Sequence, residues 1–332
     1  MKVSLCITCG PEALDQGLFG NVLTHPFQIL PYLYERGIFP AWELRSKHYG
    51  DPPDMLTIPG VVDLAYTPPE GPYRSLELNE MRRRHGQILG GDWITLSKMW
   101  NAYFKVPQRV LDAAQGILPP GRTLGIHYRG TDKQTSSWDS NPITPDAYIS
   151  LIRDFLSQNE AFHSVFVGTD EPSFVDRLQA QIRLPIQALG AAEFHMAAEH
   201  STSRREKSDR AMLDCILLSR CDTVIETSSA LPSFTKIFNP SLPVYRCSAS
   251  KLFSNMPYFP VAYIPVLPVS SPESQAILCE TMRDDWSDHP ATERFRSTFS
   301  AAPRWPRNHA FFKLAERAGA ADLAARFVTG YH

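Results

Sequence analysis

Short apolar segments alternate regularly with amphipathic segments between residues 123 and 245 of this chain. The apolar segments have the length of strands, and the segments between them carry apolar residues at helical spacing. Repeated strand–helix–strand units form parallel sheets, because each helix must return the chain to the same end of the sheet. The alternation therefore predicts a parallel, Rossmann-like α/β domain. We predict strands at 123–127, 164–168, 185–189, 222–226 and 244–245, and helices at 144–158, 173–182, 207–220 and 231–238.

The first part of the chain repeats this pattern less regularly. A glycine-containing loop follows the first predicted strand, and its Gly20 and Asn21 are candidates for contacting a ligand, although a plain strand-to-helix connection is the alternative. Pro119, Pro120 and Gly121 form the best candidate for a domain boundary. We predict strands at 3–8 and 38–44, and helices at 22–35, 76–86 and 95–118. The predicted domains are an N-terminal α/β domain at 1–119, a second at 120–268, and a helical tail at 269–332 that packs on both.

Composition excludes several classes of function. A formal net charge of −2 gives no electrostatic footprint for nucleic acid or an anionic membrane. No segment approaches the ~18 apolar residues of a membrane-spanning helix, so we expect a cytoplasmic protein that could touch a membrane only peripherally. The six cysteines are scattered, and the Cys6–Cys9 pair lacks a second pair that would complete a zinc site. We therefore expect no metal and small, buried thiols.

Polar clusters follow three of the predicted parallel strands, at 127–133, 169–171 and 227–229. The carboxyl ends of parallel strands meet at one edge of a sheet, where open α/β proteins bind their ligands. We therefore expect the three clusters to converge. The chain lacks a phosphate-binding GxxxxGK[ST] loop, a GxGxxG motif and a strand-end Asp-x-Asp motif. A phosphate site built on arginine, without a metal, fits this set of residues best.

Each candidate residue has a functional and a structural interpretation. The fork of Arg129 matches a pyrophosphate, or it pairs with Asp132 or Asp170. His127 bonds a base or a phosphate, or it is a core histidine.

Four other side chains complete the set of candidates. Asp170 contacts a ribose or forms a salt bridge. Asp214 lies among apolar neighbours, where it accepts hydrogen bonds from a guanine edge or forms an ion pair. Ser228 and Ser229 precede a predicted helix. They help its N-terminus to bind an anion, or they only cap that helix.

These motifs resemble the signatures of the α1,6-fucosyltransferases, within the wider group that includes the protein O-fucosyltransferases. The resemblance covers residues 120–240 well and the N-terminal half only loosely. The matched segments are 127–133 (HYRGTDK), 167–173 (VGTDEPS), Asp214 with Ser228 and Ser229, and the glycine loop 17–21 (GLFGN).

The resemblance implies a GT-B-like fold, in which two Rossmann-like domains face a cleft. It also implies a metal-independent, inverting glycosyltransferase that uses GDP-fucose as donor and a glycan as acceptor, with no further cofactor. In that family's arrangement His127 and Asp214 would contact guanine. Arg129 would hold the β-phosphate, and Ser228 or Ser229 would hold the diphosphate from the other side.

The chain departs from the family pattern at two positions. Gly130 stands where the family has a second arginine, and Ser137 stands where core-fucosylating members have a glutamate. Asp139 is the nearest acid and is our hypothesis for the general base. Two alternatives therefore stay open: a transferase that uses another nucleotide sugar, and a non-catalytic protein that binds a nucleotide or a glycan.

Overall fold

The computed structural model describes residues 4–10, 14, 17–50, 60–86, 92–130, 143–190, 203–227, 229–248, 264 and 266–268. The strands in these segments are β1 (Ser4–Thr8), β2 (Ala41–Glu43), β3 (Asp63–Leu64), β4 (Tyr73–Glu77), β5 (Phe104–Lys105), β6 (Thr123–Tyr128), β7 (Ser164–Thr169), β8 (Ile186–Ala188), β9 (Thr223–Glu226), β10 (Val244–Ser248) and β11 (Val266–Pro268). The helices are α1 (Thr24–Phe27), α2 (Leu30–Glu35), α3 (Leu78–His85), α4 (Trp93–Tyr103), α5 (Gln108–Ala113), α6 (Pro145–Gln158), α7 (Pro172–Gln179), α8 (Arg204–Ser219) and α9 (Ala230–Phe238), and a π-helical turn at Leu18–Val22 precedes α1.

The strands after residue 120 form one six-stranded sheet in the order β11-β10-β9-β6-β7-β8. Every neighbouring pair in this sheet is parallel. The predicted parallel α/β architecture is therefore confirmed, and the observed elements lie within a few residues of the predicted ones. β11 has no counterpart among the predicted strands, because three residues are too few to show a period. Its terminal Pro268 suits a strand at the edge of the sheet, as observed.

Two helices of this part begin with side-chain caps. The Thr144 hydroxyl accepts a hydrogen bond from the Ala147 amide at 3.3 Å, and Pro145 occupies the first position of α6, as predicted. α8 begins with a capping box: the Glu206 amide donates to the Ser203 hydroxyl at 3.2 Å, and the Ser203 amide donates to the Glu206 carboxylate at 2.9 Å. The capping box sets where α8 starts, and α8 carries part of the candidate site.

The N-terminal part contains a smaller parallel sheet in the order β2-β1-β4. The prediction of a helix at 76–86 is wrong at its start, because Tyr73–Glu77 is a strand and α3 begins at Leu78. The first residues of β4 are exposed. A strand with so little burial shows no alternation of apolar and polar residues, so its pattern merged with that of the helix that follows.

Two other long helices of the prediction are divided in the structure. The predicted helix at 95–118 breaks at Phe104–Lys105, which pairs antiparallel with β3, and α5 starts only after Pro107. Proline lacks the amide that an interior helical turn requires, but it is accepted just before a helix. The predicted helix at 22–35 is likewise divided into the end of the π-helical turn, α1 and α2, with Pro31 in the first turn of α2.

The apolar core does not divide where the sheets do. One cluster joins helices of the N-terminal part to α8 and α9, and the ring of Trp100 lies 6.3 Å from that of Phe234 in an edge-on contact. Phe27 contacts the same Phe234 ring at 6.2 Å. The second cluster packs β6, β7, α6 and α7 on the opposite face of the six-stranded sheet. The division into domains at Pro119–Gly121 stays a prediction, as does the helical tail at 269–332, which lies outside the described residues.

Within the described segments, none of the helices has the length and apolar character that crossing a bilayer requires.

Candidate functional site

A row of four residues crosses the six-stranded sheet close to the carboxyl ends of its strands. His127 on β6 is in register with Gly168 on β7 and with Glu226 on β9. Arg246 on β10 is in register with Glu226 in turn. Side chains at the same register on adjacent parallel strands project from the same face of a sheet. The row therefore brings a histidine, a carboxylate and a guanidinium together beneath one edge.

His127 is 5% exposed, and its Nδ1 has no hydrogen-bond partner among the described residues. Burial, with a smaller contribution from the positive charge of Arg129, lowers the pKa of His127 to about 3. The imidazole is therefore neutral at physiological pH, and a neutral imidazole has one donor and one acceptor nitrogen. The two predicted interpretations, a core histidine and a ligand-binding one, are both compatible with this position.

Asp214 approaches the same place from α8. Its carboxylate is almost fully buried, with Oδ2 accepting from Nε of Arg210 at 3.3 Å and Oδ1 lacking a partner among the described residues. Burial raises the pKa of Asp214 to about 6, and Arg210 opposes the shift. A β-carbon on Gly168 would lie 3.6 Å from Cδ2 of His127 and 4.0 Å from Cβ of Asp214. Both side chains therefore lie close to the same point above the strand.

Arg129 follows directly after β6 and forms a salt bridge with Asp170, with Nε 2.9 Å from Oδ2. The backbone amide of Arg129 donates to the hydroxyl of Thr227 at 2.9 Å, and that of Gly130 donates to Oδ1 of Asp170 at 3.0 Å. The predicted alternative of pairing with Asp170 is therefore present. These bonds also draw the ends of β6, β7 and β9 together, so the described parts of the three polar clusters do converge.

Gly130 lies where the backbone is closely surrounded. A β-carbon there would collide with the carboxylate of Glu171 and would come within 2.9 Å of Cε1 of Tyr128. The Tyr128 ring cannot easily move, because it stacks on Phe174 with ring centroids 4.2 Å apart. A second arginine at this position would therefore require local rearrangement, which gives a steric reason for the glycine.

Ser229 is the residue before α9 and is buried. Its side chain makes no capping hydrogen bond, so the predicted alternative of an ordinary helix cap is not observed. Its carbonyl oxygen instead accepts from the hydroxyl of Ser233 at 3.1 Å. The first amides of α9 therefore receive no side-chain cap from this residue. Ser228 and Asp139, also predicted site residues, lie outside the described residues.

Gly20 and Asn21 belong to the π-helical turn that follows Gly17. The Asn21 amide donates to the carbonyl of Gly17 at 3.0 Å. The turn packs against α9 through Phe19, whose ring centroid lies 5.3 Å from that of Phe234. The predicted glycine loop therefore contacts α9, and it lies on the same side of the molecule as α8 and α9.

Two buried charged residues of the row, Glu226 and Arg246, were not predicted. Burial raises the pKa of Glu226 and lowers that of Arg246, and the attraction between the two opposes both shifts. The Ser233 hydroxyl also contacts both carboxylate oxygens of Glu226, at 3.1 and 3.3 Å. An arginine inside the apolar segment 244–248 (VYRCS) was the signal available in the sequence, because a buried charge requires a partner.

Metal-ligand chemistry has little basis in the described segments. They contain no group of three or more His, Cys, Asp or Glu side chains that could hold a metal ion. The described cysteines are free thiols, and all except Cys9 are buried. Cys279 lies outside the described residues.

No protein-family model matches the chain, and no curated protein matches its sequence. Solved structures show a low likeness. The fucosyltransferase NodZ from Bradyrhizobium has a TM-score of 0.43 at 14% identity, over 71% of this chain and 93% of that chain. A variant of FUT1 from Arabidopsis thaliana in complex with GDP has a TM-score of 0.44 at 8% identity, over 74% and 70%. EarP, which mediates arginine glycosylation of translation elongation factor EF-P, has a TM-score of 0.32 at 14% identity, over 98% and 93%. At such scores a likeness does not assign a function, which depends on the residues of the site.

Proposed function

We propose that this protein is a metal-independent, inverting glycosyltransferase that transfers fucose from GDP-fucose to a hydroxyl group of a glycan. One observation carries the proposal. Nδ1 of His127 and Oδ1 of Asp214 are buried polar atoms without a partner among the described residues, and both side chains have an atom within 4.0 Å of the position that a β-carbon on Gly168 would take. Buried polar groups are nearly always hydrogen-bonded, so two such atoms in one place favour a polar ligand between or beside them.

Guanine suits this pair of side chains. Its base-pairing edge carries N–H donors beside the O6 acceptor, and an ionised carboxylate is an acceptor only. Arg210 already engages Oδ2 of Asp214 at 3.3 Å, which leaves Oδ1 to accept from the base. The neutral His127 has one donor and one acceptor nitrogen to offer to the base or to the nearby phosphates. A carboxylate would not favour uracil or cytosine in the same way, because their edges present fewer adjacent donors.

The diphosphate is proposed to lie between Arg129 and the start of α9. The guanidinium has five N–H donors, and the salt bridge to Asp170 occupies Nε while it orients the group. Helix N-termini bind anions through their amides, and the Ser229 side chain does not cap those of α9. Both groups would oppose the negative charge that grows on GDP as the glycosidic bond breaks.

The proposed chemistry is a single displacement. The acceptor oxygen attacks the anomeric carbon from the face opposite the nucleotide, and GDP leaves with the electron pair of the broken bond. The proton of the acceptor passes to a carboxylate, for which Asp139 is our candidate. Arg129 compensates the charge of the leaving group, so no step of this scheme requires a metal ion.

A donor screen tests the proposal. We expect GDP and GDP-fucose to raise the melting temperature more than GDP-mannose, UDP-sugars or CMP-sugars, since a ligand at 100 times its Kd stabilises the folded state by about 2.7 kcal/mol. Transfer to a panel of glycan acceptors should persist in EDTA. Stabilisation by another nucleotide sugar would reject the fucose donor. GDP binding without hydrolysis or transfer would favour a non-catalytic binding protein, and loss of activity in EDTA would reject metal independence.

Asp214→Asn should weaken GDP binding and stabilise the protein. The folded pKa of about 6 lies above the ordinary value of 3.8, so the folded state binds the proton more tightly. The free energy of unfolding of the wild type therefore falls as the pH rises between these two pKa values, by about 1.4 kcal/mol for each pH unit. Asparagine removes this loss, so the variant should melt at a higher temperature at pH 8 while it binds GDP about 10- to 100-fold more weakly.

Asp209→Asn is the matched control on the same helix. Asp209 forms a two-pronged salt bridge with Arg109 at 2.7 Å, so this variant should melt at a lower temperature and bind GDP normally. Melting curves from pH 4 to 8 and calorimetric titration with GDP check both variants. An Asp214→Asn protein that binds GDP as tightly as the wild type would remove Asp214 from the donor site.

A further inference from the structure

Tyr49, in the loop after β2, lies beside the buried Lys207 of α8. Its ring lies 5.2 Å from Nζ of Lys207. Its hydroxyl forms a hydrogen bond with the backbone of Leu18, at the start of the π-helical turn. Burial raises the pKa of that hydroxyl, while Arg129 acts on it through space and lowers it. Lys207 therefore lies over the ring of Tyr49, and the charge of Arg129, at the end of β6, acts on the hydroxyl of the same residue.

Lys207 also shares a helix face with Asp214. The two residues are seven positions apart on α8, which is close to two full turns and about 10 Å along the axis. Lys207 is 7% exposed, an unusual degree of burial for a lysine. A guanine held at Asp214 would therefore have this cation two helical turns away, toward the start of α8.

Contacts of the neighbouring residues hold Lys207 in place. The Gly50 amide donates to the hydroxyl of Ser208 at 3.0 Å, in a buried contact between the loop after β2 and α8. This contact fixes the backbone of α8 beside Lys207. Together with the ring of Tyr49 at 5.2 Å, it places the ammonium group between α8 and the loop after β2.

A diphosphate requires more positive charge than Arg129 alone provides. Asp170 already lies 2.9 Å from Nε of Arg129 and offsets part of its charge. The adjacent Gly130 has no side chain, and Glu171 and Tyr128 closely surround it. A nucleoside monophosphate would place less charge at this edge than a nucleoside diphosphate does. The second phosphate therefore calls for a cation from another element.

We propose that Lys207 supplies the second cation of the donor site and makes the site select nucleoside diphosphates over nucleoside monophosphates. The inference rests on the proposed function, because it assumes that guanine binds at His127 and Asp214. Lys207 acts on the phosphate farther from the base, while Asp214 acts on the base itself. Loss of Lys207 should therefore affect ligands according to their phosphates, whereas loss of Asp214 should affect every ligand that contains guanine.

Calorimetric titration of the full-length protein with GDP, GMP and guanosine tests the inference. Lys207→Met keeps the length of the side chain and removes its charge. We expect this variant to bind GDP about 10- to 100-fold more weakly, GMP slightly more weakly and guanosine as the wild type does. Lys236→Met is the matched control, because Lys236 is also buried, lies 5.9 Å from the ring of Trp93 and donates to the carbonyl of Leu242 at 2.8 Å. The Lys236→Met variant should bind GDP, GMP and guanosine with the affinities of the wild type.

The outcomes separate this inference from the function on which it rests. A wild type that binds neither GDP nor guanosine rejects the proposed function. A wild type that binds GDP, with a Lys207→Met variant that binds it equally well, rejects the role of Lys207 alone. Equal weakening for all three ligands shows a structural role and also overturns the inference. If melting curves show that Lys207→Met is unfolded, Lys207→Arg should keep the preference for GDP and Lys207→Gln should lose it. The same preference in both would again overturn the inference.

Discussion

Alanine in place of Arg129 should lower the turnover of sugar transfer by about 10²- to 10³-fold, the usual cost of removing a donor that opposes charge in the transition state. The guanidinium is proposed to oppose the charge that grows on the leaving GDP. The loss should therefore appear mainly in kcat, with a smaller increase in KM. The side chains of the Arg129–Asp170 salt bridge are only 18% and 9% exposed, so leaving Asp170 without its cation should also lower the melting temperature. Steady-state kinetics with GDP-fucose and thermal melting measure both effects.

Two variants control this experiment. Arg129→Lys keeps the charge but loses the fork, so it should recover part of the turnover. Arg122→Ala removes a half-exposed arginine at the opposite end of the same strand, where it pairs with Asp222 at 3.7 Å, and its turnover should be that of the wild type. Near-normal turnover in Arg129→Ala would show that another group neutralises the leaving diphosphate.

Arg246→Met should cause the largest loss of stability, about 3–5 kcal/mol at pH 8, because it leaves the carboxylate of Glu226 buried without its opposite charge. The pKa of Glu226 is already raised by burial above 4.5, and removing Arg246 raises it further. In the variant, the folded state then binds a proton that the unfolded state releases. The free energy of unfolding of the variant should therefore decrease from pH 5 to pH 8. Urea denaturation at the two pH values measures the difference.

The double variant Glu226→Gln, Arg246→Met should recover much of this stability, because it removes both charges and leaves an amide that Ser233 can still contact. Arg153→Met, at a half-exposed arginine on α6, should leave stability almost unchanged. If Arg246→Met were as stable as the wild type at pH 8, the electrostatic link between Arg246 and Glu226 would contribute nothing to the fold.

The sequence predicts the larger sheet well and the smaller one less well, for a physical reason. β6, β7 and β9 are buried on both faces, so they appear as apolar segments, and caps such as Thr144 mark the helices between them. Tyr73–Glu77 is half exposed, and its residues carry no period that would separate it from α3. Pairing with β1 makes it a strand, and that long-range contact is not visible in a local pattern.

The candidate site divides in the same way. His127, Arg129 and Asp214 were predictable because each is a polar residue where its neighbours require apolar ones or where a strand ends. The placement of Glu226 beside Arg246 depends on the register between β9 and β10, which the sequence does not specify. The close surroundings of Gly130 depend on Glu171 and Tyr128, which only the folded chain brings to it.

The shared core has a consequence for the order in which the protein folds during synthesis. Trp100 and Phe27 complete their packing against Phe234, a residue of α9 that leaves the ribosome long after them. The N-terminal sheet can form early, but its helices must wait with apolar faces uncovered until α8 and α9 have been made. Domains usually fold as units from the N-terminus as they are synthesised. Here the N-terminal part cannot complete its packing until α8 and α9 have been synthesised. The nascent chain therefore exposes apolar surface for a long interval, and a chaperone could bind that surface.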